Sequence, residues 1–113
     1  MKTHTKKRLL DAFNACQAIE SFVAGATFAD YEQNLMLRSA VERQFEIIGE
    51  ALHQAEADDP EVADLMPEVR RIVGMRNRII HGYDSVDDEL LWQTIQRNIS
   101  PLSKHLEQIL GAE

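Results

Sequence analysis

The chain has 113 residues, with 12 Lys and Arg against 19 Asp and Glu, for a formal net charge of −7. That length reads as one domain, residues 1–113, able to bury about two-thirds of its unfolded surface. The acidic balance excludes a general nucleic-acid coat but leaves room for a local basic site. A single cysteine, Cys16, excludes an internal disulfide and fits a reducing cytoplasm. No apolar run approaches membrane-spanning length, and the start Met1–Arg8 lacks the apolar stretch of a signal peptide.

In chain order, helical periodicity predicts a first helix from about Thr5 to Val23, with Leu9, Leu10, Phe13, Cys16, Ile19, Phe22 and Val23 at apolar spacing and Gly25 closing it. Asp30 is expected to cap a long second helix running to about Ala57, where Asp58, Asp59 and Pro60 stop it. Its buried stripe is Leu37, Val41, Phe45, Ile48, Leu52 and Ala55. Residues 58–66 form an acidic connector with room for one short turn. Pro67 and Glu68 suit the first turn of a third helix, and Gly82 its end. Asp87 or Asp88 starts a fourth, running to about Leu110, which Pro101 should kink or split. No strand-like alternation, repeat or low-complexity tract is present, so the expected fold is an all-α antiparallel bundle of four to five helices.

The chemistry concentrates in Met75–Tyr83, where Arg76, His81 and Tyr83 fall within eight residues. A guanidinium holds phosphate as a fork of donors, and an imidazole moves protons near neutral pH. Basic residues in a last turn followed by glycine also describe an ordinary helix C-terminus. Projection at about 100° per residue weighs on both readings and leaves both open. Val69, Ile72, Val73, Met75, Ile79 and Ile80 share one arc, and Arg76 lies inside it, whereas Arg78 points away. A charge aimed at the core must find an anion or a wet groove. Glu42, Glu46 and Glu50, continued by His53, make an acidic line on the second helix. One reading is a solvated face; the other is that one carboxylate crosses to Arg76, an approach that Gly49 and Ala51 would permit by bringing the helices close. Arg70, Arg71 and Arg78 are candidate RNA contacts, and Lys2, Lys6, Lys7 and Arg8 form a second basic cluster. His4, His53 and His105 show no ligand spacing with acids or cysteine and read as surface histidines, so no metal site is expected. Trp92 reads as a packing anchor.

The run Arg76-Asn77-x-x-x-His81-Gly82-Tyr83 resembles the Arg-x4-His-x-Tyr signature of the HEPN superfamily, in particular its small HepT-like toxin branch. Ala40–Ala51 resembles the family's second-helix block, Ile72–Arg78 its approach to the signature, and Val86, Asp87 and Trp92 its downstream positions; the likeness covers about residues 5–110. It implies a helical bundle, usually a homodimer whose signature residues line a shared cleft. It implies a metal-independent endoribonuclease without cofactor, encoded beside a minimal nucleotidyltransferase antitoxin. By position, Arg76 and His81 would be catalytic, Asn77 would support them, Glu46 or Glu50 would be a polar partner, and Tyr83 would receive AMP from the antitoxin. The acidic surface suggests a structured or narrow RNA target such as a tRNA end or loop. Two other readings use the same residues. One is a non-catalytic helical partner of a nucleotidyltransferase, with Arg76 holding a nucleotide phosphate and His81 capping the helix. The other is a purely structural helical dimer with Arg76 paired to Glu46 or Glu50.

Overall fold

The computed structural model describes residues 1–81 and 86–111, with the backbone alone at 79–81. Helices α1 (Thr3–Val23) and α3 (Leu35–Asp58) are the two long elements, joined by the short α2 (Phe28–Gln33). Next come α4 (Glu61–Leu65), α5 (Glu68–His81), α6 (Asp88–Thr94), a π-helical turn over Ile95–Ile99, and α7 (Ser100–Gly111). No strand occurs among the described residues, and none of their helices is long and apolar enough to cross a membrane.

Paired charges report the antiparallel order. Arg8 Nε meets Asp58 Oδ2 at 3.0 Å, and the Lys2 backbone N–H donates to Asp59 Oδ2 at 3.0 Å, so the start of α1 lies at the end of α3. Likewise Arg70 reaches Glu56 at 3.7 Å and Arg76 reaches Glu50 at 2.7 Å, so α5 runs back along α3. Between them sits one core built from Leu9, Ile19, Phe45, Leu52, Ile72 and Leu102, all fully buried. Cys16 belongs to it, as expected.

Several expectations are corrected. Asp30 does not open the long helix. Thr27 caps α2, accepting from the Asp30 backbone N–H while the Asp30 carboxylate accepts from the Thr27 N–H. Asn34 then interrupts the chain with an extended backbone, and its side chain caps α3 by accepting from the Leu37 N–H at 3.0 Å. Helical periodicity alone runs smoothly across 28–58, so this break is carried by local capping that competes with continuation. Leu10 and Phe22 face outward at 43% and 40% exposure despite their helical spacing. The connector folds as α4, which buries Val62. Pro101 has no N–H for the carbonyl of Arg97, and the chain widens into the π-helical turn just ahead of it instead of breaking. The proposed end of α5 at Gly82 lies outside the described residues.

Two of the expected surface histidines are exposed or partly exposed, as expected, but each lies beside a carboxylate. His4 lies 3.3 Å from Asp58, and His105 Nδ1 lies 2.8 Å from Glu68 Oε1. Trp92 is a packing anchor, as expected, tilted on Tyr31 at 5.1 Å and Phe28 at 6.2 Å between ring centroids.

Burial, followed by the nearby Glu20 carboxylate, pushes the Cys16 thiol up to about 12. The expected outcome is a thiol that disulfide-exchange reagents do not label in the native protein at pH 8. One reactive thiol per chain should appear in concentrated guanidinium chloride, and rapid native labelling would contradict this burial.

Candidate active site

Arg76 reaches its position through a glycine. Where α5 crosses α3, a Cβ added to Gly49 would overlap the Arg76 Cβ and lie 2.5 Å from its Cγ and 2.9 Å from its Cδ. The arginine stem therefore occupies the space a side chain at 49 would need, and this close approach lays the guanidinium beside the next residue of α3. Arg76 Nη2 sits 2.7 Å from Glu50 Oε2, and Nη1 donates to Asn77 Oδ1 at 3.3 Å. The Arg76 side chain is 21% exposed, against 48% for Glu50. Its Nε is buried away from solvent and donates to nothing among the described residues.

The pair borders a groove of about 510 Å³ between α1 and α3. Arg8, Asp11 and Asn14 line it from α1, while Arg43, Glu46 and Glu50 line it from α3, with Arg76 reaching in from α5. The two carboxylates considered for Arg76 thus separate in role. Glu50 takes the arginine, and Glu46 lies on the groove 3.9 Å from Arg43. Glu42 is elsewhere, its carboxyl raised above the usual range by burial and then by Asp88, with Arg38 opposing. Arg76 finds its anion within its own chain, so a second copy is not required to neutralise it.

The remaining expected site residues are dispersed. His81 is the last residue of α5, and its side chain lies outside the described set, as does all of Tyr83. Arg70 pairs with Glu56 at the far end of α3. Arg71 and Arg78 are exposed on α5 and do not line the groove. The N-terminal basic cluster is largely engaged: Lys2 Nζ donates to the Asp58 carbonyl at 2.8 Å, Lys7 pairs with Asp11 at 2.5 Å, and Arg8 with Asp58.

Asn14, Arg43 and Gln44 were not foreseen. Arg43 lies at i−3 and i−7 from Glu46 and Glu50, so the helical projection of α3 contained a signal for it. Nothing in the sequence marks Asn14, because its role depends on which face of α1 meets α3. Among the described residues no group of three or more His, Cys, Asp or Glu could hold a metal ion.

Comparison with known proteins bears on this geometry. Residues 13–109 match the family model described as "Ribonuclease HepT-like". The chain is 34% identical over 111 residues to the "Probable ribonuclease HepT" of Thermococcus cleftensis, covering 96% of this chain and 98% of that one. It is 34% identical over 98 residues to a Caldanaerobacter subterraneus protein that bears a provisional RNase name, covering 87% of each. A Methanocaldococcus jannaschii protein with a similar provisional RNase name is 31% identical over 106 residues, covering 94% and 96%. No solved structure matches the chain.

Gly49→Ala tests the crossing. In an open helix this change gains up to about 1 kcal/mol. Here overpacking against the fixed base of the Arg76 side chain costs about 1–3 kcal/mol. The expected outcome is a lower denaturation midpoint, measured in urea with an unchanged slope. An equal or higher midpoint would show that the helices do not meet this closely.

Proposed function

The chain belongs to the HepT-like ribonuclease family, and we propose that it is a metal-independent endoribonuclease toxin acting through Arg76 and His81. The observation that supports this most directly is the Arg76 guanidinium, held over Gly49 by Glu50 and partly exposed at the edge of a groove. A charge fixed at the edge of a polar groove suits a phosphate better than it suits the core.

RNA supplies its own nucleophile. The ribose 2′-hydroxyl attacks the adjacent phosphorus, the bond to the 5′-oxygen breaks, and the products are a 2′,3′-cyclic phosphate and a 5′-hydroxyl. His81 takes the 2′ proton or returns one to the leaving oxygen. Arg76 stabilises the additional charge on the phosphorane-like transition state, and Asn77 holds the second guanidinium nitrogen. A base and an acid placed on opposite sides of the phosphorus call for two histidines, so a homodimer in which each copy supplies one His81 is the natural arrangement. Arg70, Arg71 and Arg78 then act as accessory RNA contacts.

The neighbour in this reading is a minimal nucleotidyltransferase antitoxin that transfers AMP to the Tyr83 hydroxyl. The phenol oxygen attacks the α-phosphorus of ATP and pyrophosphate leaves. The adduct places a phosphodiester and a bulky base close in sequence to Arg76 and Arg78, competing with RNA phosphate for the same cations.

His81→Ala is expected to reduce RNA cleavage by about 10²–10⁴-fold with the helical fold intact, since a histidine in a last turn contributes only about 1 kcal/mol. Arg76→Ala should inactivate as well. Arg76→Lys should not restore full rate, because an ammonium cannot present the planar fork. Cleavage that survives His81→Ala, or that EDTA eliminates, rules the mechanism out.

Co-expression with an adjacent nucleotidyltransferase should add one or more AMP masses at Tyr83 and suppress toxicity, and Tyr83→Phe should stay toxic and unmodified. Tyr31 is the internal control, because it is fully buried. An intact-mass spectrum without an adduct, or an adduct mapped to Tyr31, would refute the regulatory part.

A further inference from the structure

A second concave site lies on the other flank of α5. It is a cavity of about 240 Å³ between α5 and the α6/π-helical segment. Arg71 and Arg97 line it with the carboxamides of Gln93 and Asn98, over the apolar side chains of Met75 and Leu90. No described lining residue carries a carboxylate. Five of the twelve Lys and Arg residues pair with Asp58, Asp11, Glu56, Glu46 or Glu50, and Arg38 lies 3.8 Å from Asp88. Arg71 and Arg97 are exposed and make no ion pair among the described residues. Of the lining side chains, Gln93 also donates through Nε2 to Glu89 Oε1 at 3.5 Å.

The position of Arg97 follows from the backbone. Arg97 and Asn98 ride on the π-helical turn that precedes Pro101, and such turns commonly re-aim side chains at functional sites. On α5, Arg71 and Arg78 stand seven residues apart on one face, separated by about 10 Å. The two arginines and the cavity form a cationic track along α5 towards the end that carries His81.

We infer that this cavity, through Arg71 and Arg97, binds a backbone phosphate of a single-stranded RNA segment flanking the cleaved bond. The inference rests on the RNA-cleaving reading and adds to it a strand-positioning site separate from the Arg76 groove. Two guanidinium forks with two carboxamides supply donors for phosphate and ribose oxygens. The apolar floor of Met75 and Leu90 offers a surface for the sugar or base of that nucleotide. Recognition is of the backbone, so it carries little sequence preference and depends strongly on salt.

The test measures binding of a short labelled single-stranded RNA of mixed sequence to the full chain carrying His81→Ala, across a salt series. Adding Arg97→Ala or Arg71→Ala should weaken binding roughly tenfold and flatten the slope of log K against log salt by about 0.7 for each phosphate no longer neutralised. Arg97→Lys should keep the slope while giving up part of the affinity. In the chain with His81 intact, Arg97→Ala should raise KM for cleavage, a deficit made up at saturating RNA, whereas the deficit from Arg76→Ala is not. Thermal melting followed by circular dichroism checks that each variant is folded.

Unchanged affinity and slope in a folded Arg97→Ala variant would overturn the inference. So would inorganic phosphate or AMP binding that depends on Arg97 while RNA binding does not, which would mark a small-anion pocket. A change in solution mass without a change in RNA affinity would make this face an interface between copies and overturn it equally. RNA binding that depends on Arg97 in a chain that cleaves nothing would instead leave this inference standing and defeat the catalytic reading.

Discussion

The crossing of α3 and α5 at Gly49 is the constraint on which the candidate site depends. Without a side chain at 49, the stem of Arg76 lies against α3, and the guanidinium arrives beside Glu50. Glu50 is about half exposed, so the ion pair contributes about 1 kcal/mol or less to stability. Its effect is orientation. A charge that packing alone would leave in an apolar arc is turned to a groove edge, with one nitrogen paired to Glu50 and another hydrogen-bonded to Asn77.

Charge pairing sorts the rest of the surface. The acids at the end of α3 collect the basic start of α1: Asp58 takes Arg8 and His4, and Asp59 accepts from the Lys2 backbone, whose N–H holds the Asp59 carboxyl below its usual range. A cluster that reads in sequence as a polyanion site thus serves largely to fasten the termini of two long helices. Among the described residues, the arginines left without an acid lie on α5 and on the π-helical turn. In an acidic chain, such cations mark where a polyanion can approach without meeting repulsion.

The π-helical turn ahead of Pro101 links local covalent chemistry to that surface. A proline inside a long helix removes one donor and crowds the preceding turn. The chain answers by widening over Ile95–Ile99 while keeping Ile95 and Ile99 in the core. The core register is preserved on one side and Arg97 and Asn98 are displaced to the cavity wall on the other.

The sequence by itself determined the helical class, the long apolar stripes, the burial of Cys16, the disruption near Pro101, and the inward aim of Arg76. These follow from periodicity and from backbone chemistry, which act over a few residues. Alongside the reading of a solvated acidic face, it also offered Glu46 or Glu50 as a partner for Arg76. Only tertiary structure chose Glu50, because both lie on one face of α3 and the choice depends on how far along that helix α5 crosses. The break at Asn34 was not legible because capping at Thr27 and Asn34 competes locally with a pattern that stays helical throughout. Asn14 and Arg97 were hidden for a different reason: each becomes part of a site through a neighbour distant in sequence. Periodicity says which face of a helix is turned inward, and packing alone decides what that face and its edges meet.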